Sequence, residues 1–327
     1  MADECASEEL DSYSVSAHVG ALFIVLACGG LGATLPAISH HVPRLRPQDD
    51  VLTFGNFFGA GVVLATALIH MIMPAIENLT NPCLGAAAEV YEALPLLIVL
   101  VSILAMQALE FVLALHLRRG AKRVPMGAGD ALPAAMATAA AAPAAGSVQE
   151  RRHHHQHGMD LGDKNARLTV TVLLFEMGVA LHSVIIGVSL GVVSGDSFAT
   201  LLAALVFHQF FEGFALGSAV AQTDPTLCTT VTTIAAFALS APVGTAIGIG
   251  VRSSFNENAT ATLWLLGVFE AISGGILIYT GLVELITYGL TLNPRFTGKD
   301  ARACSMAAAF AGMYMGAAAM SIIGKWA

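Results

Sequence analysis

The sequence predicts an all-α integral membrane protein with eight transmembrane helices. Hydrophobic residues make up 56% of the 327-residue chain and charged residues only 12%, and the mean hydropathy is +0.72. A soluble core of this size cannot bury so much apolar surface. The runs also lack the alternation of a membrane β-barrel. Apolar runs long enough to cross about 30 Å of hydrocarbon as helices fall at 17–38, 51–75, 92–117, 168–192, 197–221, 226–251, 261–288 and 302–324.

The distribution of Lys and Arg predicts how these spans are oriented. With eight spans, nearly all of the 15 basic residues fall on one side of the membrane, and only Arg252 and Lys325 fall on the other. The positive-inside rule makes the crowded side cytoplasmic. Both termini are therefore expected outside the cell, with 1–16 as an acidic extracellular tail, and the plasma membrane is the expected location.

Features on the predicted outer side agree with this orientation. The sequons beginning at Asn78 and Asn258 both fall in short loops predicted to lie outside. Cys5 and Cys83 are also expected outside, where a disulfide could join the tail to the loop after span 2, although sequence alone does not fix the pairing. The other cysteines are expected to be small apolar packing residues in or near helices; they are Cys28, Cys228 and Cys304.

The segment 118–166, between spans 3 and 4, differs in composition from the rest of the chain. It is basic at both ends and rich in Ala, Pro and Gly in the middle, which predicts a disordered cytoplasmic loop. This loop separates spans 1–3 (17–117) from spans 4–8 (167–327). Clustered neutral imidazoles can bind Zn²⁺ or similar ions, so metal capture and a linker without a binding role are both open. The clustered histidines are His153, His154, His155 and His157.

Spans 4 and 5 contain two segments with the same pattern, H-x-x-x-x-G-x-x-L-G, which begin at His182 and His208. His208 and Glu212 are four residues apart and therefore project from one face of a helix. Span 4 runs in the opposite direction, and its His182 lies at a similar depth. Polar groups at the centre of membrane helices are presumed to face a cavity, a partner or an ion. The pattern predicts one midplane site, formed by His182, Ser183, His208, Gln209 and Glu212.

The residue types of this site indicate which ions it could bind. Imidazole nitrogen together with carboxylate oxygen suits Zn²⁺, Fe²⁺, Mn²⁺ or Co²⁺ better than Mg²⁺ or Ca²⁺, which prefer all-oxygen ligands. Glycines repeat every four residues in the same segments and would let helix backbones approach closely, although this is a general feature of membrane packing. These glycines are Gly187, Gly191, Gly213 and Gly217.

Other ionisable residues within the spans are candidates for stations along an ion path. His70 is expected near the outer end of span 2, at the entrance, and Glu270 in the outer third of span 7. Three further acids are expected toward the cytoplasm: Glu110, Glu176 and Glu284. For Glu110, Glu270 and Glu284 a hydrogen-bonded structural role is the alternative.

With these motifs in view, the chain resembles the ZIP family (Zrt- and Irt-like proteins) of divalent metal transporters. The paired segments, the preceding histidine loop and the eight spans are similar to this family, and 64–71 and 273–284 are similar to its eukaryotic Zrt/Irt-type members. The resemblance implies a 3+2+3 arrangement of helices, an inverted repeat that relates spans 1–3 to spans 6–8, a metal held by spans 4 and 5, and frequent homodimers.

The five predicted site residues match the family pattern position by position, but the chain departs from it at two others. Many relatives carry a carboxylate where this chain has Ile186, and some carry an acid where it has Ala241. A second ion bridged by carboxylates is therefore not expected, and we predict a single transport-site ion.

The sequence therefore predicts a transporter that imports Zn²⁺ and/or Fe²⁺ into the cytoplasm. The ion is the transported substrate, and no cofactor, enzymatic activity or nucleic-acid partner is expected; membrane lipid surrounds the chain. An intramembrane zinc hydrolase stays open as an alternative, since it would also use histidines and an acid, with three protein ligands and an open water position. A metal exporter is a third hypothesis, for which fewer spans and Asp-rich ligands would be expected.

Overall fold

The eight predicted spans are all helical in the structure, a computed structural model that describes residues 13–41, 49–85, 91–121, 160–221, 226–298 and 301–325. No strand occurs in these described ranges. The prediction of an all-α membrane protein with eight spans is confirmed. Spans 1 to 8 are, in order, Val15–Ile38, Asp50–Leu79, Leu94–Val112, Val172–Val192, Ser197–Ala221, Leu227–Val251, Thr260–Thr291 and Ala303–Ile323.

Several helices continue beyond the membrane-length apolar segment. The first runs over Val15–His41, the helix of span 3 over Leu94–Ala121, and that of span 4 over Asp160–Val192. The last two therefore extend into both ends of the predicted loop 118–166. The remaining helices are Gly195–Ala221, Leu227–Val251, Pro294–Thr297 and Ala303–Ile323, and a short 3₁₀ helix covers Pro82–Leu84.

Spans 2 and 7 are the two longest spans, and each contains a π-helix. Span 2 consists of an α-helix, Asp49–Ala65, a π-helix, Thr66–Ile72, and a second α-helix, Met73–Leu79. Span 7 consists of an α-helix, Thr260–Tyr279, followed by a π-helix, Thr280–Thr291. Most π-helices are short, and they are frequently found at functional sites. The π-helix of span 2 contains His70, one of the predicted pathway residues.

The glycines of the paired segments form direct backbone contacts with two other spans. A β-carbon built on Gly187 would lie 2.3 Å from the carbonyl oxygen of Ala241 in span 6, and one on Gly191 would lie 2.5 Å from that of Thr245. In span 5, a β-carbon on Gly217 would lie 2.2 Å from the carbonyl oxygen of Ala33 in span 1. Only glycine permits these approaches, because any larger side chain would separate the helices.

The packing of the spans follows a regular pattern. Span 1 packs on span 5 and span 4 packs on span 6, while span 2 packs on span 8 and span 3 on span 7. If spans 1, 2, 3 and 4 are exchanged with spans 6, 7, 8 and 5, the same four pairs result. The pair of spans 1 and 5 corresponds to that of spans 6 and 4, and the pair of spans 2 and 8 to that of spans 7 and 3. An inverted repeat requires such pairs, and the two π-helices also fall in exchanged spans. The 3+2+3 arrangement itself stays a prediction.

A cluster of aromatic and polar side chains joins the neighbouring ends of four spans. The Tyr13 hydroxyl donates a hydrogen bond to the Gly191 carbonyl at 2.6 Å, and a ring nitrogen of His18 lies 2.9 Å from the Val193 carbonyl. The His18 ring lies between those of Tyr13 and Phe198, and the Arg252 guanidinium lies 5.1 Å from the centre of the Tyr13 ring. Burial raises the pKa of the Tyr13 hydroxyl, so it remains a donor.

Some sequence predictions lie outside the described residues. These include most of the acidic tail and the histidine cluster of the predicted loop, His153, His154, His155 and His157. Cys83 forms a disulfide, as the sequence allowed, but its expected partner, Cys5, also lies outside the described residues. Cys28, Cys228 and Cys304 are free thiols.

The glycine contacts give a direct test of the packing. In Gly217→Ala the new methyl group would meet the Ala33 carbonyl at 2.2 Å, so the helices must separate, and we expect a loss of roughly 1–3 kcal/mol of stability. A matched control is Gly20→Ala in span 1, where a β-carbon meets nothing within 4 Å and alanine favours the helix. Thermal unfolding of both purified variants is the measurement; equal melting temperatures would contradict the proposed contact.

Candidate metal centre

Three buried side chains from spans 4 and 5 form a compact group at the centre of the protein. His182, His208 and Glu212 each offer one ligand atom, and these atoms lie within 4.8 Å of one another. The Nε2 atoms of the two histidines are 3.2 Å apart, and Nε2 of His208 lies 3.1 Å from Oε1 of Glu212. All three residues are at most 2% exposed, so the group has no contact with bulk water.

The helices place this group at the middle of spans 4 and 5. His182 is the central residue of span 4, Val172–Val192, and His208 lies next to the centre of span 5, Ser197–Ala221. The four-residue spacing puts Glu212 one helical turn after His208, on the same face of span 5. The glycines of the same two spans turn toward spans 6 and 1, and the histidine faces are left to meet each other.

The side chains around this group have many polar atoms without hydrogen-bond partners. Ser183 and Gln209, the neighbours predicted from the sequence, are both fully buried. Among the described residues, the buried side-chain atoms without a hydrogen bond include Nδ1 of both histidines, both Glu212 oxygens, the Ser183 hydroxyl and both amide atoms of Gln209. The close approach of His208 to Glu212 is therefore a contact that lacks hydrogen-bond geometry.

Unpaired polar groups are costly inside a membrane, and a group of them can form a binding site. Each buried donor or acceptor without a partner costs on the order of 1–3 kcal/mol, and buried polar groups are normally satisfied. Here the Nε2 atoms of two imidazoles and the Glu212 carboxylate converge on one point. A divalent cation with affinity for nitrogen and oxygen, such as Zn²⁺ or Fe²⁺, would be bound by these atoms together. The arrangement fits a cation site.

His70 lies closer to this group than the sequence predicted. We expected it near the outer end of span 2, but its ring packs edge-to-face on that of His208, with centroids 4.7 Å apart. Its Nε2 atom is 3.1 Å from the Met320 carbonyl oxygen in span 8. The expectation was wrong because span 2 extends to Leu79 rather than ending at residue 75, so that His70 lies deeper in the membrane.

Two further buried hydroxyl groups without a partner were not predicted from the sequence. Thr66 and Ser273 are fully buried, and neither hydroxyl has a hydrogen-bond partner. Thr66 begins the π-helix of span 2 and lies beside the Glu212 carboxylate. Both residues occur in the segments 64–71 and 273–284, whose resemblance to Zrt/Irt-type proteins was the available signal.

The acid expected in the outer part of span 7 is paired with an asparagine. Glu270 is 7% exposed, and its Oε2 accepts a hydrogen bond from the Asn78 amide at 3.0 Å. Asn78 is the first residue of a predicted sequon in an outer loop, but it lies in the last turn of the helix Met73–Leu79. That expectation was wrong for Asn78, because span 2 continues past it. Asn258 lies in the turn before span 7, as expected.

The three acids expected toward the cytoplasm lie apart from the central group. Glu176 lies in span 4 beside Thr233 of span 6. Glu110 of span 3 accepts a hydrogen bond from the hydroxyl of Tyr279 in span 7, and Glu284 lies near the same tyrosine. None of these acids belongs to the three-residue ligand group found in the described part of the chain.

A buried set of nitrogen and oxygen ligands between membrane-spanning helices is typical of proteins that move metal ions across membranes. The model of one protein family, described as ZIP zinc transporter, matches residues 15–324. That match covers every span, and the chain therefore belongs to the ZIP family of metal-ion transporters. The resemblance drawn from the sequence is confirmed.

Individual relatives agree over nearly the full chain. It is 34% identical over 345 residues to zinc transporter 8 of Oryza sativa subsp. japonica, a match that covers 94% of this chain and 87% of the rice protein. It is 31% identical to zinc transporter 3 of Arabidopsis thaliana, with 99% and 89% covered. It is 31% identical to zinc-regulated transporter 1 of Saccharomyces cerevisiae, with 96% and 88% covered.

The Asn78–Glu270 pair can be tested by removing its donor. In Asn78→Ala the buried Glu270 carboxyl loses the amide that lies 3.0 Å away, and a buried polar group without its partner costs about 1–3 kcal/mol. We expect a lower melting temperature for the purified protein. Glu92→Ala, at an exposed position before span 3, is the control and should leave the melting temperature unchanged; an equal response of both variants would contradict the role of the pair.

Proposed function

We propose that this protein imports Zn²⁺ into the cytoplasm through one midplane site between spans 4 and 5. The ligands of this site are His182, His208 and Glu212, with Ser183 and Gln209 beside them. The observation that carries the proposal is the convergence of two imidazoles and a carboxylate, fully buried and lacking other partners, at the centre of the membrane. The names of the rice, Arabidopsis and yeast relatives, which refer to zinc, support the choice of ion.

The chemistry of the ligands accounts for passage of the ion. A divalent cation must lose water to enter a buried site, and neutral imidazoles and a carboxylate replace that water with nitrogen and oxygen ligands. The chain has Ile186 four residues after His182 and Ala241 directly before Pro242, and neither residue is an acid. With one acid at the centre, the site has a low negative charge, and we propose that it holds a single ion and releases it readily.

We propose an ordered path on either side of this centre. Glu270 lies toward the outside and Glu176 toward the cytoplasm, with Glu110 and Glu284 as further candidates on the cytoplasmic side. His70 is assigned to the centre rather than to the entrance, since its ring contacts that of His208. The direction of transport follows from the basic residues, which favour a cytoplasmic loop between spans 3 and 4 and outer termini in the plasma membrane.

Two parts of the proposal concern selectivity and assembly. Fe²⁺ is proposed as a second substrate, because His, Glu, Gln and Ser serve Zn²⁺ and Fe²⁺ almost equally. A homodimer is expected from the resemblance to the family.

A zinc hydrolase would also need a site with three protein ligands and an open water position. The central depth of the ligands and the membership of a transporter family favour transport. Expression of the chain in cells separates the hypotheses, because total cell Zn²⁺ should rise for an importer, fall for an exporter and stay constant for a hydrolase.

The site is tested by removing its ligands one at a time. We expect His208→Ala and Glu212→Ala to abolish uptake of radiolabelled Zn²⁺, because each removes one of three converging ligands. Glu257→Ala, at an exposed position before span 7, is the control and should transport normally. Surface expression of all variants is measured in parallel; normal uptake by both ligand variants at matched surface levels would refute the site.

Selectivity is tested by competition in the wild-type protein. Unlabelled Fe²⁺ should reduce uptake of radiolabelled Zn²⁺, because both ions would use the same nitrogen and oxygen ligands. Mg²⁺ in large excess should have no effect, since it requires oxygen ligands in near-ideal octahedral geometry. Zn²⁺ uptake that is insensitive to Fe²⁺ would remove iron from the proposal and leave zinc import in place.

A further inference from the structure

Ser273 of span 7 is the polar residue that the proposed site does not yet use. Its side chain is 0% exposed, and its hydroxyl has no hydrogen-bond partner. Serine and threonine hydroxyls in helices normally bond to a carbonyl oxygen of the preceding turn. Ser102 of span 3 does so, with its hydroxyl 2.8 Å from the Ile98 carbonyl. The free hydroxyl of Ser273 is therefore available to another group.

Helix contacts place Ser273 level with His182. A β-carbon built on Gly178 of span 4 would lie 3.0 Å from Cγ2 of Ile276 and 3.2 Å from Cδ2 of Leu277. His182 lies one helical turn after Gly178, and Ser273 lies one turn before Leu277. Because the two spans are antiparallel, both steps lead in the same direction, toward the outside. Residues four apart share a face of a helix, so Ser273 lies on the face of span 7 that is turned toward span 4.

The next residue, Gly274, shows which span packs on the neighbouring face of span 7. A β-carbon built on Gly274 would lie 3.4 Å from the Ala67 carbonyl oxygen and 3.4 Å from Cβ of Met71. Gly274 therefore faces span 2, in the π-helix that carries Thr66 and His70. Ser273 lies where span 7 turns from span 2 toward span 4, and these are the spans that carry His70 and His182.

The unpaired atoms around the centre belong to a single region. Among the described residues, the buried side-chain atoms without a hydrogen bond belong to spans 2, 4 and 5, and the only further one is the Ser273 hydroxyl. A hydroxyl without a partner is costly in a membrane interior. The helix contacts above put this hydroxyl on the side of span 7 that is turned toward spans 2 and 4, which carry Thr66 and His182.

We propose that Ser273 is a further residue of the cation site and that its hydroxyl binds a water molecule of the partly dehydrated ion on the span 7 side. This inference rests on the Zn²⁺ transport proposed above. A neutral hydroxyl can both donate and accept a hydrogen bond, which suits a water molecule held by the cation. Thr66 faces the opposite edge of the site beside Glu212 and offers a second hydroxyl of the same kind.

The inference predicts a specific kinetic effect for Ser273→Ala. Loss of the hydroxyl removes one hydrogen bond to the bound ion's water, and we expect the KM for Zn²⁺ uptake to rise about 3–10-fold while the maximal rate per surface molecule changes little. The purified full-length variant should also show a smaller increase in melting temperature on addition of Zn²⁺ than the wild type. Both measurements use Zn²⁺ alone as the probe.

Ser102→Ala is the matched control. Ser102 packs on the opposite side of span 7, where its Cβ lies 2.6 Å from the position of a β-carbon on Gly275. Its hydroxyl is already bonded, so the KM and the Zn²⁺-induced thermal shift should equal those of the wild type.

The possible results separate this inference from the proposed function. If Ser273→Ala has the wild-type KM and thermal shift, and a higher melting temperature without Zn²⁺, the hydroxyl is only an unsatisfied packing group and the inference is overturned while transport stands. If the wild type takes up no Zn²⁺, the proposed function fails, and the thermal shift alone then decides whether Ser273 contributes to Zn²⁺ binding.

Discussion

The structure depends on how a membrane protein compensates for polar atoms that are buried between its spans. Water and lipid cannot reach His182, His208 and Glu212, and much of their hydrogen-bonding capacity is unused within the protein. Such a group is unfavourable by itself, since each unpaired polar atom loses its interaction with water. A divalent cation would convert the same atoms into ligands. The unfavourable burial of these polar atoms is thus linked to the affinity of the group for an ion.

Close helix packing makes this arrangement possible. Spans 4 and 5 use their glycines to contact spans 6 and 1 through the backbone, as at Gly187 and Gly217. Because glycine has no side chain at these contacts, span 4 can pack closely on span 6 and span 5 on span 1. The polar faces of spans 4 and 5 can then meet each other. Dispersion forces supply the stability, because lipid removes the hydrophobic drive for helix association. The glycines and the histidines of the paired segments therefore have complementary roles.

The sequence was sufficient for the spans and for the proximity of His182, His208 and Glu212, because hydropathy and four-residue spacing directly reflect membrane thickness and helix geometry. It was insufficient for His70, whose depth depends on where span 2 ends. It also missed Thr66 and Ser273, because most helical hydroxyls bond to their own preceding turn, as Thr280 does at 3.0 Å. Only the three-dimensional structure reveals which hydroxyls remain free. Asn78 shows the same limit, since its partner Glu270 is distant in sequence.

The contact between His70 and the Met320 carbonyl connects the end of span 8 with the metal centre. A β-carbon on Gly324, which follows that span, would lie 3.2 Å from the His70 imidazole ring, so bulk added at this turn would push on a side chain that packs against His208. Affinity tags or fluorescent fusions joined directly to this end would therefore perturb ion handling from a distance. A spacer, or attachment within the connection between spans 3 and 4, would avoid that mechanical coupling.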